Sequence, residues 1–276
     1  MKARDAAAPS EFQHDLIRMR VDGLVIERLA VPEPGLRIDP EDRGIGAQFE
    51  HRGLTRLLPA TYHKPPTLRG LVDTDDERDI LAEIEGPTSG RLQAERGRKP
   101  HIDLRELACR RRSQNLRIYG DSHVNAAFTY TRTGVNRFNS GERGAWYCAW
   151  NVMVSVREVA FHRTRELTYT GRFEDRARYV ELLADFIGVI DDITDDSTRP
   201  ALNPDPAIGY PEGQSLAQQL RRHGSRRLRN PSARAPAPGG NCLVCFEPRA
   251  ILNVRPGASW DLVWDGTPDY AIVAVG

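Results

Sequence analysis

Three side chains in the middle of the chain have the types and spacing of a reaction site: Arg137, Tyr147 ten residues later, and Glu158 eleven residues after that. They offer a cation, an aromatic ring and a carboxylate. The intervening residues read as a loop rich in Gly, Asn and Arg, then the apolar run 145–150, then a helical pattern that carries the acid. Two tryptophans and a tyrosine in so short a run suit a buried strand better than a helix. From Val152 to Glu166, Val152, Val156, Val159 and Ala160 recur on one side of a helix, and Ser155, Glu158, His162 and Arg165 form the opposite stripe. Such a loop-strand-helix unit brings all three groups around one cleft. On spacing alone, Glu158 reads equally well as a surface acid with a histidine four residues on.

The other candidate groups carry weaker signals. Ser232, after a proline in the turn Asn230-Pro-Ser-Ala, is placed to cap, to bind a phosphate or to face water. His123 lies in an irregular polar stretch, Tyr119 to Phe128, within Asn115 to Tyr130, and has no partner at ligand spacing, which favours a structural role. Cys242 and Cys245 have metal-ligand spacing, but no second such pair exists and their context, Asn-Cys-Leu-Val-Cys-Phe, reads as a buried strand. Asp191, Asp192, Asp195 and Asp196 lack the Gly turn and closing Glu of a calcium loop, so a polar loop is expected and no metal site is assigned.

A chain of 276 residues can bury a substantial core. Lys and Arg number 39 against 38 for Asp and Glu, so the net charge of +1 gives no overall argument for nucleic acid or an anionic membrane. The first residues lack the apolar core of a signal peptide, and no run reaches the roughly 18 apolar residues of a membrane helix. A soluble cytoplasmic protein is therefore expected. Residues 1–52, with a possible strand at Gly23 to Glu27 and a Pro- and Gly-rich connection from Pro32 to Gly46, read as an N-terminal extension. Residues 53–276 read as the main domain. Within it, helices are expected over Thr74–Glu85 and Ser215–His223, the latter closed by Gly224, with a strand or helix over Arg178–Ile193 and strands over Cys242–Phe246 and Tyr270–Val275. The phosphate-loop, dinucleotide-binding and hydrolase-elbow motifs are absent.

Several blocks, taken together and in order, resemble the RES domain, named for an Arg, a Glu and a Ser. They are Arg137-Phe-Asn with Gly141, Trp146-Tyr-Cys-Ala, Val156-Arg-Glu-Val-Ala-Phe-His, Tyr210-Pro-Glu-Gly-Gln-Ser-Leu-Ala, Asn230-Pro-Ser-Ala-Arg and Asn241-Cys-Leu-Val-Cys-Phe-Glu-Pro-Arg. Upstream, Thr55-Arg-Leu-Leu-Pro and Asn125-Ala-Ala-Phe are similar to longer members, so the resemblance runs from about residue 54 to 266. Two departures stand out. Arg227, Leu228-Arg229 and Asn230 occupy positions where members commonly carry a Gly, an apolar pair and a Tyr, and Val135-Asn136 replaces a Gly before Arg137.

The resemblance implies a mixed α/β fold like that of the ADP-ribosyltransferase toxins, with a split sheet around an NAD cleft. It implies the toxin of a toxin-antitoxin pair, with a helix-turn-helix antitoxin as partner and NAD as substrate. Members hydrolyse NAD or cleave it with inorganic phosphate, and some transfer ADP-ribose to a protein. Carried over by position, the catalytic set is Arg137, Tyr147, Glu158 and Ser232, with Asn139 beside Arg137 as a further NAD contact. A competing reading is a catalytically weak module that sequesters an antitoxin or nucleic acid, supported by the Arg221 to Arg234 cluster; direct nucleic-acid binding is not expected from the near-zero net charge.

Overall fold

The computed structural model describes residues 16–21, 24–29, 51–63, 89–107, 119–131, 136–194, 196–235 and 240–275, with four isolated positions between 74 and 80. The fold is mixed α/β. Among the described residues ten strands form one sheet: β1 (Leu16–Val21), β2 (Leu24–Leu29), β3 (His51–Pro59), β4 (Trp146–Ala149), β5 (Glu174–Phe186), β6 (Asp191–Asp192), β7 (Arg227–Pro231), β8 (Asn241–Cys245), β9 (Leu252–Asp265) and β10 (Tyr270–Val275). Their order is β1-β2-β6-β7-β8-β4-β3-β5-β9-β10, and every neighbouring pair is antiparallel except β6 and β7. The sheet is pinched in the middle, where β3 and β4 meet through Thr55 opposite Ala149 alone. On one side of that junction lie β6, β7, β8 and β4, and on the other β3, β5, β9 and β10. The site described below opens at this seam.

The described residues include four α-helices: α1 (Gly90–Glu95), α2 (Asp121–Thr129), α3 (Val152–Thr170) and α4 (Pro206–Arg222). The strand expected at the apolar run is β4, and its period-two alternation decides which side chains reach which face. Trp146 and Cys148 join the core with Leu54, Phe128, Leu182 and Phe186. Tyr147 points the other way, against the core built by Phe138, Leu216, Leu220, Leu228 and Val244. Helix α3 starts where the Asn151 side chain accepts from Met153 N at 2.8 Å, and packs Val156 and Ala160 over Leu57, Leu262 and Trp264.

The structure departs from the sequence reading in four places. Tyr119 to Phe128 was expected to be irregular, yet α2 runs through most of it, because Val124 and Phe128, one turn apart, are buried, with Asn125 and Thr129 beside them. The helix expected from Ser215 starts nine residues earlier: Asp205 caps Ala207 N at 2.9 Å, Pro206 occupies the first turn, and the end at Gly224 has φ of +81° as expected. The Arg-rich turn before Ser232 contains a strand, β7, whose Leu228 is fully buried. The 14-residue β9 was not foreseen; it pairs with β5, where Asp261 is buried against Arg176 and Arg178. Arg178 to Ile193, left open as strand or helix, is mainly strand. The possible strand in the N-terminal segment corresponds to β2, which joins the sheet beside β6. Most of the expected helix Thr74–Glu85 and the connection Pro32–Gly46 lie outside the described residues.

Candidate active site

Four of the five sequence-derived residues converge on the seam. Glu158 sits in the second turn of α3 and Ser232 in the turn after β7; Ser232 Oγ donates to Glu158 Oε1 at 2.5 Å. The serine is buried, and its oxygen also accepts from the backbone N–H groups of Arg234 at 3.1 Å and Ala235 at 3.0 Å. Its hydroxyl is thus committed to three protein partners. Ser232 holds one oxygen of the acid, leaving the other oxygen of Glu158 to the cavity.

Arg137 lies in the loop before β4. Its Nη1 donates to the carbonyls of Ala201 and Asn203, both at 2.7 Å, and its guanidinium lies over the Tyr210 ring, 5.5 Å from the centroid. Burial lowers its pKa, an effect the charge of Glu158 partly offsets. The close approach depends on Gly209 and Gly213, one turn apart on α4: a Cβ at either would collide with Arg137 side-chain or backbone atoms. Gln214 adds a bond from Nε2 to Asn136 O at 2.8 Å, fixing the chain just before the arginine.

Tyr147 reaches into the same space from β4. Its hydroxyl donates to Asn139 Oδ1 at 2.8 Å and accepts from Phe138 N at 3.1 Å. Burial pushes its pKa well above the usual phenol value. The tyrosine is therefore a neutral wall. Asn139, expected as a substrate contact, is buried, and its amide binds Tyr147 and Ser140 O. It supports the aromatic wall from behind.

Arg137, Tyr147 and Glu158 line a cavity of about 270 Å³ together with Arg56, His162, Tyr210, Arg234 and Cys242, with Ser232 bonded to the acid and Asn139 to the tyrosine behind them. Arg56 was missed as a site residue. It belongs to β3, its Nη1 donates to Tyr147 O at 3.3 Å, and its guanidinium lies over the Trp146 ring, 4.9 Å from the centroid. The only sequence signal was its place in the Thr55-Arg-Leu-Leu-Pro block. Arg234 closes another wall, with its guanidinium 3.4 Å from the Phe161 ring centroid and Nη2 donating to Pro204 O at 2.8 Å. Three guanidiniums and one acid give the cavity a cationic bias suited to a phosphorylated ligand. Cys242 is present as a neutral thiol, because burial and the nearby Glu158 charge push its pKa up.

Apart from Cys242, the remaining candidates lie elsewhere. Cys242 and Cys245 are three apart on β8 and so face opposite sides of it, which prevents them from chelating one ion. Among the described residues no group of three or more His, Cys, Asp or Glu side chains is arranged to hold a metal, and no helix is long and apolar enough to cross a membrane. His123 stacks on His63, 6.0 Å between ring centroids, and His63 shares a 2.8 Å hydrogen bond with the Tyr119 hydroxyl. In the Arg221 to Arg234 cluster, Arg226 pairs with Glu247 at 3.1 Å, Arg229 with Asp192 at 3.3 Å, and buried Arg227 donates to Val189 O at 3.2 Å. A larger cavity of about 660 Å³ lies beside this cluster and is lined by Arg226, Arg227, Asp103, Glu247 and others, but it holds none of the sequence-derived site residues. The smaller cavity is the one with a cation, an aromatic wall and an oriented carboxylate.

The family model of the RES domain matches residues 115–265, more than half of the chain. The chain belongs to the RES domain family. Among solved structures, the M. tuberculosis MbcT-MbcA toxin-antitoxin complex is similar at 19% identity and a TM-score of 0.33, over 46% of this chain and 72% of that one. No curated protein matches the sequence. The matched RES segment contains β4 through β9 and every sequence-derived site residue, whereas Arg56 on β3 lies upstream of it.

Proposed function

We propose that this RES-domain protein consumes NAD by cleaving its nicotinamide-ribose bond, and acts as the toxin of a toxin-antitoxin pair. The observation that carries the reading is Glu158 held by Ser232 in a cavity shared with Arg137, Arg56 and Tyr147. Nicotinamide leaves as a neutral molecule from a charged pyridinium, so its departure needs no general acid. The bonding pair goes to the ring nitrogen, and positive charge builds on the ribose as an oxocarbenium-like centre, as in glycoside hydrolysis. A fixed carboxylate beside the sugar stabilises that charge, and Glu158 has the required chemistry and orientation. Arg137 and Arg56 present guanidinium groups for the pyrophosphate, and Tyr147 gives a neutral surface for nicotinamide or ribose. The acceptor is water or inorganic phosphate. A helix-turn-helix antitoxin is the proposed protein partner, and the cytoplasm the proposed location.

Incubation of the pure protein with NAD, with and without phosphate, followed by nicotinamide detection, tests this reading. Release of nicotinamide with free or phosphorylated ADP-ribose supports it. No release under either condition, with proteins of an added cell extract also left unmodified, overturns it. Transfer of ADP-ribose to a protein in that extract would assign the second reading, an ADP-ribosyltransferase using the same site.

A further inference from the structure

His162 follows Glu158 by one turn of α3 and lines the same cavity. It is half-buried, yet neither ring nitrogen has a hydrogen-bond partner among the described residues. Its polar neighbours are engaged: the serine by the acid and two amides, Arg234 by Pro204 O and the Phe161 ring, and the tyrosine by Asn139 and Phe138, while Glu158 keeps one oxygen for the cavity. An open imidazole in such a wall is an unfilled donor and acceptor pair. Burial together with the charges of Arg165 and Arg234 brings the pKa of His162 down to about 4, so the ring is neutral at pH 7. A neutral ring suits an uncharged ligand group better than a phosphate, for which the arginines are already present.

We infer that His162 is a further substrate-binding residue, whose imidazole hydrogen-bonds a hydroxyl of the nicotinamide ribose beside the one facing Glu158. This rests on the NAD reading above. The vicinal hydroxyls of a ribose match two polar side chains one helical turn apart, and the single turn from Glu158 to His162 supplies that pair. His162 is neither base nor nucleophile in this assignment; it fixes the sugar against the carboxylate.

The test compares KM and kcat for NAD and for NAD lacking the 2′- or the 3′-hydroxyl of the nicotinamide ribose. The proteins are the wild type, His162→Leu, which removes the hydrogen bonds at similar volume, and His162→Gln, which retains a donor and an acceptor. Should Leu disturb folding, His162→Ala takes its place. The Leu variant is expected to raise KM for NAD about three- to tenfold, the loss of one neutral hydrogen bond, with a smaller change in kcat. It should also lose discrimination between NAD and one of the two analogues, and Gln should restore part of both effects. An unchanged KM, or full discrimination retained without the imidazole, overturns the assignment alone. A wild-type protein that releases no nicotinamide overturns the NAD reading and this inference with it.

Discussion

Ser232 Oγ lies 2.5 Å from Glu158 Oε1 and accepts two backbone N–H bonds of its own turn, so the serine orients the acid. Ser232→Ala should therefore lower kcat on the order of 100-fold, the cost of a misplaced reacting group, with KM for NAD little changed. Steady-state kinetics check it. A raised KM at unchanged kcat would mean that the serine binds substrate directly.

Tyr147 and Asn139 form a second coupled pair. Tyr147→Phe leaves the Phe138 N–H and the Asn139 carbonyl without their partner, which should cost about 1–3 kcal/mol of stability. Thermal unfolding of both single variants and of the double variant with Asn139→Ala measures the coupling. The double loss should be smaller than the sum of the single losses, because the two residues share one hydrogen bond.

Replacement of Gly by Ala inside a helix ordinarily gains about 1 kcal/mol. At Gly209 or Gly213 the opposite is expected, because the added Cβ meets Arg137. Gly209→Ala should raise KM for NAD several-fold by displacing the guanidinium. A more stable variant with unaltered KM would contradict the packing described for Arg137.

Stability should fall on acidification because of His162. Its native pKa of about 4 lies below the value near 6.5 expected in the unfolded chain, so the unfolded state binds more protons between those limits. The contribution is fully present above about pH 6.5 and is lost as pH falls toward 4. Burial first, then Arg165 on the same helix and Arg234 from the turn after β7, disfavour the imidazolium, and Glu166 opposes them weakly. Chemical denaturation between pH 7 and pH 4 should show a shallower decline for His162→Gln than for the wild type.

The parts of the site legible in the sequence were those set by local composition and periodicity. The strand at Trp146–Ala149 followed from its short, aromatic-rich apolar run and the helix carrying Glu158 from the 3.6-residue stripe, and with them the placing of Tyr147 and Glu158 near one cleft. Ser155 was placed on the solvent stripe, yet it is buried, its hydroxyl donating to Thr55 O at 2.6 Å. That contact, like Arg56 and the tether of Arg137 to Ala201 and Asn203, joins segments far apart in sequence, and no local pattern encodes it. The bond between Ser232 and Glu158 was invisible for the same reason: the blocks put both residues in the site, and only their meeting at the seam shows that one holds the other. Helix α2 was obscured because its polar residues resemble a loop while two apolar residues, Val124 and Phe128, anchor it.

The most direct test of the account is NAD turnover by Glu158→Gln beside the wild type, with equal folding verified by thermal unfolding. Gln keeps an acceptor for Ser232 but carries no charge to place beside the oxocarbenium. Nicotinamide release should fall about 100- to 1,000-fold, as on loss of a preorganised electrostatic group. Undiminished release by a folded Glu158→Gln protein would contradict the assignment of Glu158 as the catalytic carboxylate.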